Sequence, residues 1–325
     1  MAELAPHWIN FHGLNIEKAL AWNSKWIKLV DPDPALTREL REKYNRKIIA
    51  RLFMLDHGLP RSNPKAAARW TIDLLKTHPA NPHVDVWEVL NEPGDLTNEQ
   101  DIAWLVAFYR SLLQYLEDQN MRVCTGNFGV GQPPGKGNVG APWWEPWREV
   151  LEMLKTRHYL GLHEYWGPDG VLGCSPWWAG RFQFLHADVR IMITECGYND
   201  AINRPGNKEH GWLGKISEEE YLSQLIQYRQ LCDADPRVEG CFVFTLDYAS
   251  ADWQTFDVTK LSERIGHMQT TKQPTPQPQQ EARKEQVTRE GRDIVKQIDK
   301  ALEHLSATQE TLLQLRDTIM KATLL

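Results

Sequence analysis

Two acidic residues stand out because each follows a short apolar run and precedes a residue that interrupts regular structure. Glu92 comes directly before Pro93, and Glu195 is followed closely by Gly197. If both runs are strands that open on the same side of a sheet, the two carboxyl groups can flank one bound molecule. A pair of carboxylic acids in that arrangement is the minimum equipment for cleaving a glycosidic bond. The sequence therefore predicts a hydrolytic site with two catalytic acids.

Apolar segments alternate with amphipathic helical stretches over residues 1–265. Most of these segments are continuously apolar, which is typical of parallel strands covered on both faces. Eight strand–helix units in about 250 residues predict a (β/α)8 TIM barrel, whose chemistry lies at the carboxyl ends of the strands. A doubly wound open sheet is the alternative, but no glycine-rich phosphate turn follows the first strand. The expected strands are His7–His12, Trp26–Asp31, Ile48–Leu55, Val84–Leu90, Arg122–Asn127, Tyr159–Tyr165, Val189–Glu195 and Gly240–Leu246.

The composition divides the chain into three parts. Residues 1–266 carry the barrel pattern and are expected to form the catalytic domain. Residues 267–280 are rich in Pro, Gln and Thr, which predicts an extended linker. Residues 281–325 place apolar side chains at heptad spacing, which indicates a coiled coil and a homo-oligomer. A single helix folded back on the barrel, or a helical hairpin, is the alternative.

Strand alternation is expected to bring both acids to the mouth of the barrel. Side chains of one parity share one face of a strand, and Pro93 ends the strand that carries Glu92 because proline cannot donate to a ladder. Regular alternation places Glu92 on one face with Val86, Glu88 and Leu90, and Glu195 on one face with Ile191 and Ile193.

Three further polar residues lie near the predicted strand ends. Tyr165 is expected to hydrogen-bond Glu195 and hold it ionised, while His163 binds a sugar hydroxyl or tunes the acid. The alternative for His163 is a buried structural histidine. Arg51 sits in an apolar strand, where a cation needs a partner. Pairing with Glu195 would lower the pKa of that carboxyl, and a structural ion pair with Glu88 is the alternative.

The walls of the site are expected to be partly aromatic. The chain has fourteen tryptophans, most of which should pack in the core while a minority stacks on sugar rings. His12 at the end of the first strand and Trp166 after the sixth are candidate wall residues. Tyr248 and Trp253 follow the eighth strand and are candidates for the same role.

With these residues in view, the sequence resembles the clan A glycoside hydrolases, closest to the cellulase-like families 5 and 39. The resemblance covers about residues 5–265. The motifs that carry it are Asn91-Glu92-Pro93 after the fourth strand, His163-x-Tyr165 after the sixth, and Glu195 after the seventh.

The resemblance implies a retaining mechanism on the β-glycosidic bonds of a glucan- or mannan-type saccharide. It makes Glu92 the acid/base, Glu195 the nucleophile and Asn91 a ligand of the sugar 2-hydroxyl. The family usually has a tryptophan at the end of the eighth strand. Residues 244–248 contain none, so Tyr248 or Trp253 would take its place.

Composition excludes several classes of partner. A net charge of −6 predicts no nucleic-acid surface, and no apolar run is long enough to cross a membrane. Five widely spaced cysteines predict neither a disulfide framework nor a zinc site, and mildly favour a reducing compartment. Neither a metal nor a cofactor is expected. The first residues contain no signal peptide, and the sequence leaves the compartment open between cytoplasmic and secreted.

Two other functions fit parts of the pattern. A non-catalytic carbohydrate-binding barrel displayed on an oligomerising helix would keep the aromatic cleft and make no use of paired acids. A non-glycosidic hydrolase or lyase would need a metal cluster or a lysine base, for which Lys28 is the candidate.

Overall fold

Eight parallel strands close into a barrel in sequence order, with the last strand hydrogen-bonded to the first. The closed sheet confirms the predicted barrel and excludes the open doubly wound sheet. Because all eight strands are parallel, their carboxyl ends lie together at one mouth of the barrel. The strands are β1 (Leu4–Trp8), β2 (Trp26–Val30), β3 (Lys47–Arg51), β4 (Val86–Glu88), β5 (Val123–Phe128), β6 (Tyr159–Trp166), β7 (Ile191–Tyr198) and β8 (Val238–Leu246).

The computed structural model describes residues 2–9, 16–94, 96–135, 142–171, 177–202, 210–248 and 250–270. They belong to the first of two compact units, which ends at Thr271. The last helix reaches Thr270, so residues 267–270 are helical where the sequence predicts the start of the linker. The rest of that linker and the coiled coil expected at 281–325 lie outside the described residues.

Helices cover the outside of the barrel, and side-chain caps fix where several of them begin. Asn63 accepts hydrogen bonds from the first backbone N–H groups of the helix Pro64–Thr77, and Pro64 occupies its first position. None of the helices among the described residues is long and apolar enough to span a bilayer. The helices are α1 (Ile16–Leu20), α2 (Pro34–Glu42), α3 (Met54–Gly58), α4 (Pro64–Thr77), α5 (Glu99–Leu116), α6 (Arg148–Leu154), α7 (Glu218–Asp233) and α8 (Ser262–Thr270).

Two hydrophobic clusters separate the inside of the barrel from its outside. The larger one fills the space between strands and helices. The smaller one takes one side chain from every strand and plugs the barrel: Ala5, Trp26, Ile49, Val86, Cys124, Tyr159, Met192 and Phe242. Two positions further along β1 to β4, the interior becomes polar and charged, with His7, Lys28, Arg51 and Glu88 buried.

The strand that carries Glu195 is irregular, which corrects two expectations. β7 continues to Tyr198, so Glu195 lies within the strand and not at its end. Ile191 and Ile193 belong to the outer cluster, and Met192 faces the interior. The register of β7 shifts between Ile193 and Glu195 against β6, and between Ile193 and Cys196 against β8. This β-bulge turns Glu195 inward, because an inserted residue re-aims the side chains that follow it.

Glu92 also reaches the mouth by a route that regular alternation does not predict. β4 ends at Glu88, and Leu90 packs in the outer cluster instead of sharing a face with Val86. Both Leu90, with φ 64°, and Glu92, with φ 43°, adopt left-handed backbone conformations. Such conformations cost about 1–3 kcal/mol each in residues other than glycine and cluster at functional sites. A strained turn therefore presents Glu92.

Candidate active site

A cavity of about 990 Å³ opens at the carboxyl ends of the strands. Its size is within the range of ordinary small-molecule sites. Six of the residues singled out in the sequence line it: Arg51, Asn91, Glu92, Tyr165, Glu195 and Trp253. His12 lies outside the described residues.

The two acids approach each other across this cavity at different depths. The side chain of Glu92 is 50% exposed and that of Glu195 only 10%. Nδ1 of His163, itself fully buried, lies 2.8 Å from Oε1 of Glu92 and 3.5 Å from Oε2 of Glu195. Those two oxygens are therefore at most about 6.3 Å apart, a limit that is compatible with the separation of about 5–5.5 Å in retaining glycosidases.

Glu195 is held as a carboxylate by the groups around it. Tyr165 donates its hydroxyl to Oε2 at 2.9 Å, and Nζ of Lys28 lies 3.6 Å from Oε1. Burial alone would raise the pKa of Glu195. Electrostatic interactions, chiefly with His163 and Lys28, together outweigh burial and hold that pKa well below its usual value. An ionised and partly shielded carboxylate can act as a nucleophile.

Lys28 is the main part of this environment that the sequence interpretation did not assign. Its ammonium group lies 2.8 Å from Oε2 of Glu88 and donates to the carbonyl of Thr194 at 2.9 Å. Lys28 and Glu88 are both fully buried. A lysine inside an apolar strand needs an internal partner, and Lys28 between Ile27 and Leu29 was the available signal.

Arg51 does not make either of the direct ion pairs that the sequence suggested. Glu88 pairs with Lys28, and the ion pair described for Arg51 joins its Nη1 to Oδ2 of Asp56 at 3.9 Å. Its charge nevertheless contributes to the lowered pKa of Glu195. Among the described residues, Nε and Nη1 of Arg51 have no hydrogen-bond partner. Arg51 therefore keeps two buried, unpaired donors in a side chain that lines the cavity.

His7 is a second buried group that the sequence interpretation missed. Its Nδ1 lies 3.9 Å from Oε1 of Glu195, and neither ring nitrogen has a hydrogen-bond partner among the described residues. Burial, followed by the charge of Lys28, lowers the pKa of His7 well below its usual value. The imidazole is thus neutral beside the carboxylate of Glu195.

The backbone leaves room for the carboxyl group of Glu92 at one glycine. A Cβ atom on Gly129 would lie 2.8 Å from both Cδ and Oε1 of Glu92. Any other residue at position 129 would push the carboxyl group away from His163. Glu92 also donates its backbone N–H to the carbonyl of Asn127 at 3.1 Å. Gly129 and Asn127 therefore fix where this acid stands.

Aromatic side chains form one wall of the cavity. Phe244, at the end of β8, contacts Trp253 edge-to-face at 5.4 Å and Phe256 at 5.5 Å between ring centroids. Phe244 is the first residue of the stretch in which the resemblance leads us to expect tryptophan, and Trp253 packs beside it. Tyr248 is half-buried and is not among the residues that line the cavity.

Trp166 lies outside the wall that the sequence predicted for it. Its indole N–H donates to Oε1 of Gln224 at 2.8 Å, and its ring packs on Tyr228 in the helical shell. Glu164, its neighbour but one, faces the same shell and accepts from the hydroxyl of Tyr228 at 2.8 Å. These contacts show that Trp166 supports β6 from outside.

Asn91 lines the cavity next to Glu92. Its backbone N–H donates to Oδ1 of Asp56 at 2.8 Å, which fixes the turn, and its Oδ1 has no hydrogen-bond partner among the described residues. No group of three or more metal-ligating side chains occurs in the described part of the chain. Asn91 thus leaves an unpaired amide oxygen next to Glu92.

Comparison with known proteins supports the fold. No protein-family model matches the sequence, and no curated protein matches it significantly. Among solved structures, the chain is similar to Bacteroides uniformis beta-glucuronidase 2 covalently bound to cyclophellitol-6-carboxylate aziridine, with a TM-score of 0.52 and 14% identity over 83% of this chain and 36% of that one. It is also similar to Ruminococcus gnavus beta-glucuronidase, with a TM-score of 0.51 and 14% identity over 82% of this chain and 50% of that one.

These neighbours share the barrel architecture with this chain. At this identity the likeness shows the fold alone, and the chain spans half or less of their length.

Proposed function

We propose that this chain is a retaining glycoside hydrolase that cleaves β-glycosidic bonds in a glucan- or mannan-type poly- or oligosaccharide. The observation that carries the proposal is the convergence of Glu92 and Glu195 on Nδ1 of His163 at the mouth of a parallel barrel. The likeness to β-glucuronidase structures supports a glycosidase barrel, and the specific family stays a proposal.

In the first step, the ionised carboxylate of Glu195 attacks the anomeric carbon. The bond from that carbon to the leaving oxygen breaks, and Glu92 donates its proton to that oxygen. The product is a glycosyl ester on Glu195. Its low pKa supports the assignment as nucleophile, because the attacking group must be ionised at neutral pH.

In the second step, Glu92 accepts a proton from water, and the resulting hydroxide attacks the same carbon and releases Glu195. Two inversions give net retention. Esterification removes the negative charge of Glu195, which favours the ionised form of Glu92 when it acts as a base. The greater exposure of Glu92 supports its role, since both the leaving group and water reach it from the open side.

The remaining cavity residues are proposed to bind sugar. Asn91 would contact the 2-hydroxyl through its side-chain amide, whose Oδ1 has no hydrogen-bond partner among the described residues. Arg51 would donate to another hydroxyl. Trp253 and Phe244 would pack against the apolar face of the ring. His163 would keep Glu92 aimed at the glycosidic oxygen.

The test is release of reducing sugar from a panel of β-glucans, β-mannans and xylans. We expect release by the wild type and at least a 1,000-fold loss in Glu195→Gln, on the order of what loss of a nucleophile costs. Glu92→Gln should lose on the order of 100-fold or more. Glu239→Gln, a similar change at the opposite end of the barrel, should keep wild-type activity.

Equal activity in all four proteins would overturn the assignment of both acids. Binding of an oligosaccharide without release by the wild type would favour the non-catalytic carbohydrate-binding barrel.

A further inference from the structure

Asn127 occupies an unusual position beneath the site. It lies in β5, where the pairing with β6 shifts register between Gly126 and Phe128. Its backbone is left-handed, with φ 45°, and its side chain is fully buried. Asparagine is among the few residues that tolerate this conformation. The irregularity sends its side chain sideways inside the barrel wall.

On one side, Asn127 binds the turn that presents Glu92. Its Nδ2 donates to the carbonyls of Val89 at 3.1 Å and Leu90 at 2.9 Å. Its backbone carbonyl accepts from the N–H of Glu92 at 3.1 Å. Since Leu90 and Glu92 both have positive φ, the turn depends on such contacts to hold its shape.

On the other side, Asn127 binds the bulge that turns Glu195 inward. Its Oδ1 accepts a hydrogen bond from Oγ1 of Thr194 at 3.2 Å. Thr194 directly precedes Glu195, and its carbonyl accepts from Lys28 at 2.9 Å. One amide group therefore contacts the chain segments that carry both acids.

The link from β5 to β7 has to pass β6, which lies between them. The residue of β6 at the crossing is Gly161. A Cβ atom there would overlap Oδ1 of Asn127, so any other residue would displace the amide. The glycine and the asparagine thus form a matched pair.

From these contacts we propose that Asn127 is a positioning residue that couples the placement of the acid/base Glu92 to that of the nucleophile Glu195. The effect of Asn127 on catalysis rests on the proposed function. Its effect on the positions of Glu92 and Glu195 rests on the hydrogen bonds alone. Asparagine is required because the link needs two donors toward β4 and one acceptor toward β7. Aspartate lacks the donors, and glutamine is too long for the space above Gly161.

The first test is Asn127→Asp, which keeps the shape and the acceptor but loses the donors toward Val89 and Leu90. A misplaced acid costs most when the leaving group needs a proton. We expect kcat to fall on the order of 100-fold for alkyl glycosides. For dinitrophenyl glycosides, whose leaving group needs no proton, the loss of kcat should be at least fivefold smaller. KM should stay within about twofold, since the sugar contacts remain.

A second pair of variants separates this role from plain destabilisation. Gly161→Ala should reproduce the leaving-group dependence, because its Cβ displaces the amide. Asn81→Ala removes a hydrogen bond of 2.8 Å from Trp87, which lies on the same strand β4 but away from the mouth. It should lower Tm without changing the ratio of kcat between the two substrates.

An unchanged ratio in Asn127→Asp, with an active wild type, would overturn the coupling while leaving the proposed function intact. A wild type without glycosidase activity would overturn the proposed function. Crystal structures of the wild type and Asn127→Asp would still decide the coupling in that case: a displaced Glu92 carboxyl group supports it, and an unmoved one refutes it.

Discussion

His163 holds Glu92 from inside the barrel, with its Nδ1 at 2.8 Å from the carboxylate oxygen Oε1. The imidazole is fully buried, whereas the carboxylate it holds is half exposed. Gly129 bounds the same carboxyl group from the other side. The position of the Glu92 carboxyl group therefore depends on its contact with His163 and on the space that Gly129 leaves for it.

Filling the space at Gly129 should displace the carboxyl group of Glu92 without changing its chemical identity. Gly129→Ala adds a methyl group 2.8 Å from the carboxyl group of Glu92, and the backbone at this position shows no positive φ. We expect a 10- to 100-fold lower kcat for poor leaving groups, on the order of the loss from a misplaced catalytic group. Steady-state kinetics with alkyl glycosides measures this.

The matched control for this change is Gly240→Ala in β8, whose new Cβ would make only ordinary contacts with Met192 and Phe242. It should leave kcat as in the wild type. An active Gly129→Ala with unchanged kcat would show that Glu92 does not need its present position.

Removing the hydroxyl of Tyr165 should raise the pKa of Glu195, because a donated hydrogen bond favours the ionised form. A bond to a charged group contributes about 1.5–3 kcal/mol. We expect Tyr165→Phe to lower kcat/KM by about 10- to 100-fold. The acidic limb of the pH profile should move to higher pH, since the carboxylate then protonates earlier as pH falls.

Tyr228→Phe is a close control for Tyr165→Phe. It deletes an equivalent hydroxyl that donates to the buried carboxyl group of Glu164 at 2.8 Å, in the helical shell. It should lower stability and leave the acidic limb in place. If both variants move that limb equally, the shift does not report on Glu195.

Phe53 is expected to bind the leaving half of the substrate. It lines the cavity at the end of β3, next to the strand that precedes Glu92, and is 51% exposed. Large exposed apolar side chains at a cavity commonly mark binding sites. Phe53→Ala should raise KM about three- to tenfold for the substrate class, aryl glycosides or disaccharides, whose leaving group stacks on the Phe53 ring. It should leave kcat within about twofold of the wild-type value.

The comparison for Phe53→Ala is Phe184→Ala, which removes another exposed ring, at 41% exposure, that does not line the cavity. Its KM for both substrate classes should equal that of the wild type. A similar rise in both variants would attribute the effect to general loss of apolar surface.

The acid sensitivity of the fold should depend on His158. Burial, and then the charges of Arg157 and Arg122, lower the pKa of His158 to about 4, and its Nδ1 accepts from the N–H of Val123. An unfolded histidine has a pKa of about 6.5, so between these values the unfolded chain binds more protons than the folded one. The stability that depends on neutral His158 is complete above the unfolded value and is lost as pH falls through this window.

Urea unfolding from about pH 7 to about pH 4.5 measures that loss. His158→Gln should flatten the slope of the unfolding free energy by up to about 1.4 kcal/mol per pH unit. His186→Gln, at an exposed position, should keep the wild-type slope. Identical slopes in all three proteins would contradict the assignment to His158.

The sequence was sufficient to predict the barrel, because buried parallel strands require continuous apolar runs and the covering helices require amphipathic stretches. It also identified the two acids and Tyr165 as neighbours, since parallel strand ends share one edge of the sheet. It failed where the backbone departs from regular alternation. The faces of Leu90 and Ile193 were wrong because a left-handed turn and a bulge intervene, and neither leaves a clear local signal in residue types.

Partners inside the barrel were the second gap. The sequence does not show how far each side chain extends into the barrel, so it could not decide between Glu88 and Glu195 as the partner of Arg51. In the structure, Glu88 forms its ion pair with Lys28. The contact of Asn127 with Thr194 joins strands that are not neighbours. Such contacts depend on the small residue at Gly161, whose meaning appears only in three dimensions.

The sealed pair of Lys28 and Glu88 sets an asymmetry on the reaction cycle. With Glu195 ionised, the ammonium group faces two carboxylates; once Glu195 carries the sugar as an ester, it faces one. Under the proposed mechanism, the buried ammonium group therefore loses one of its two anionic neighbours when the ester forms and regains it when the carboxylate departs. This regained attraction favours breakdown of the ester, so we expect its formation to limit turnover.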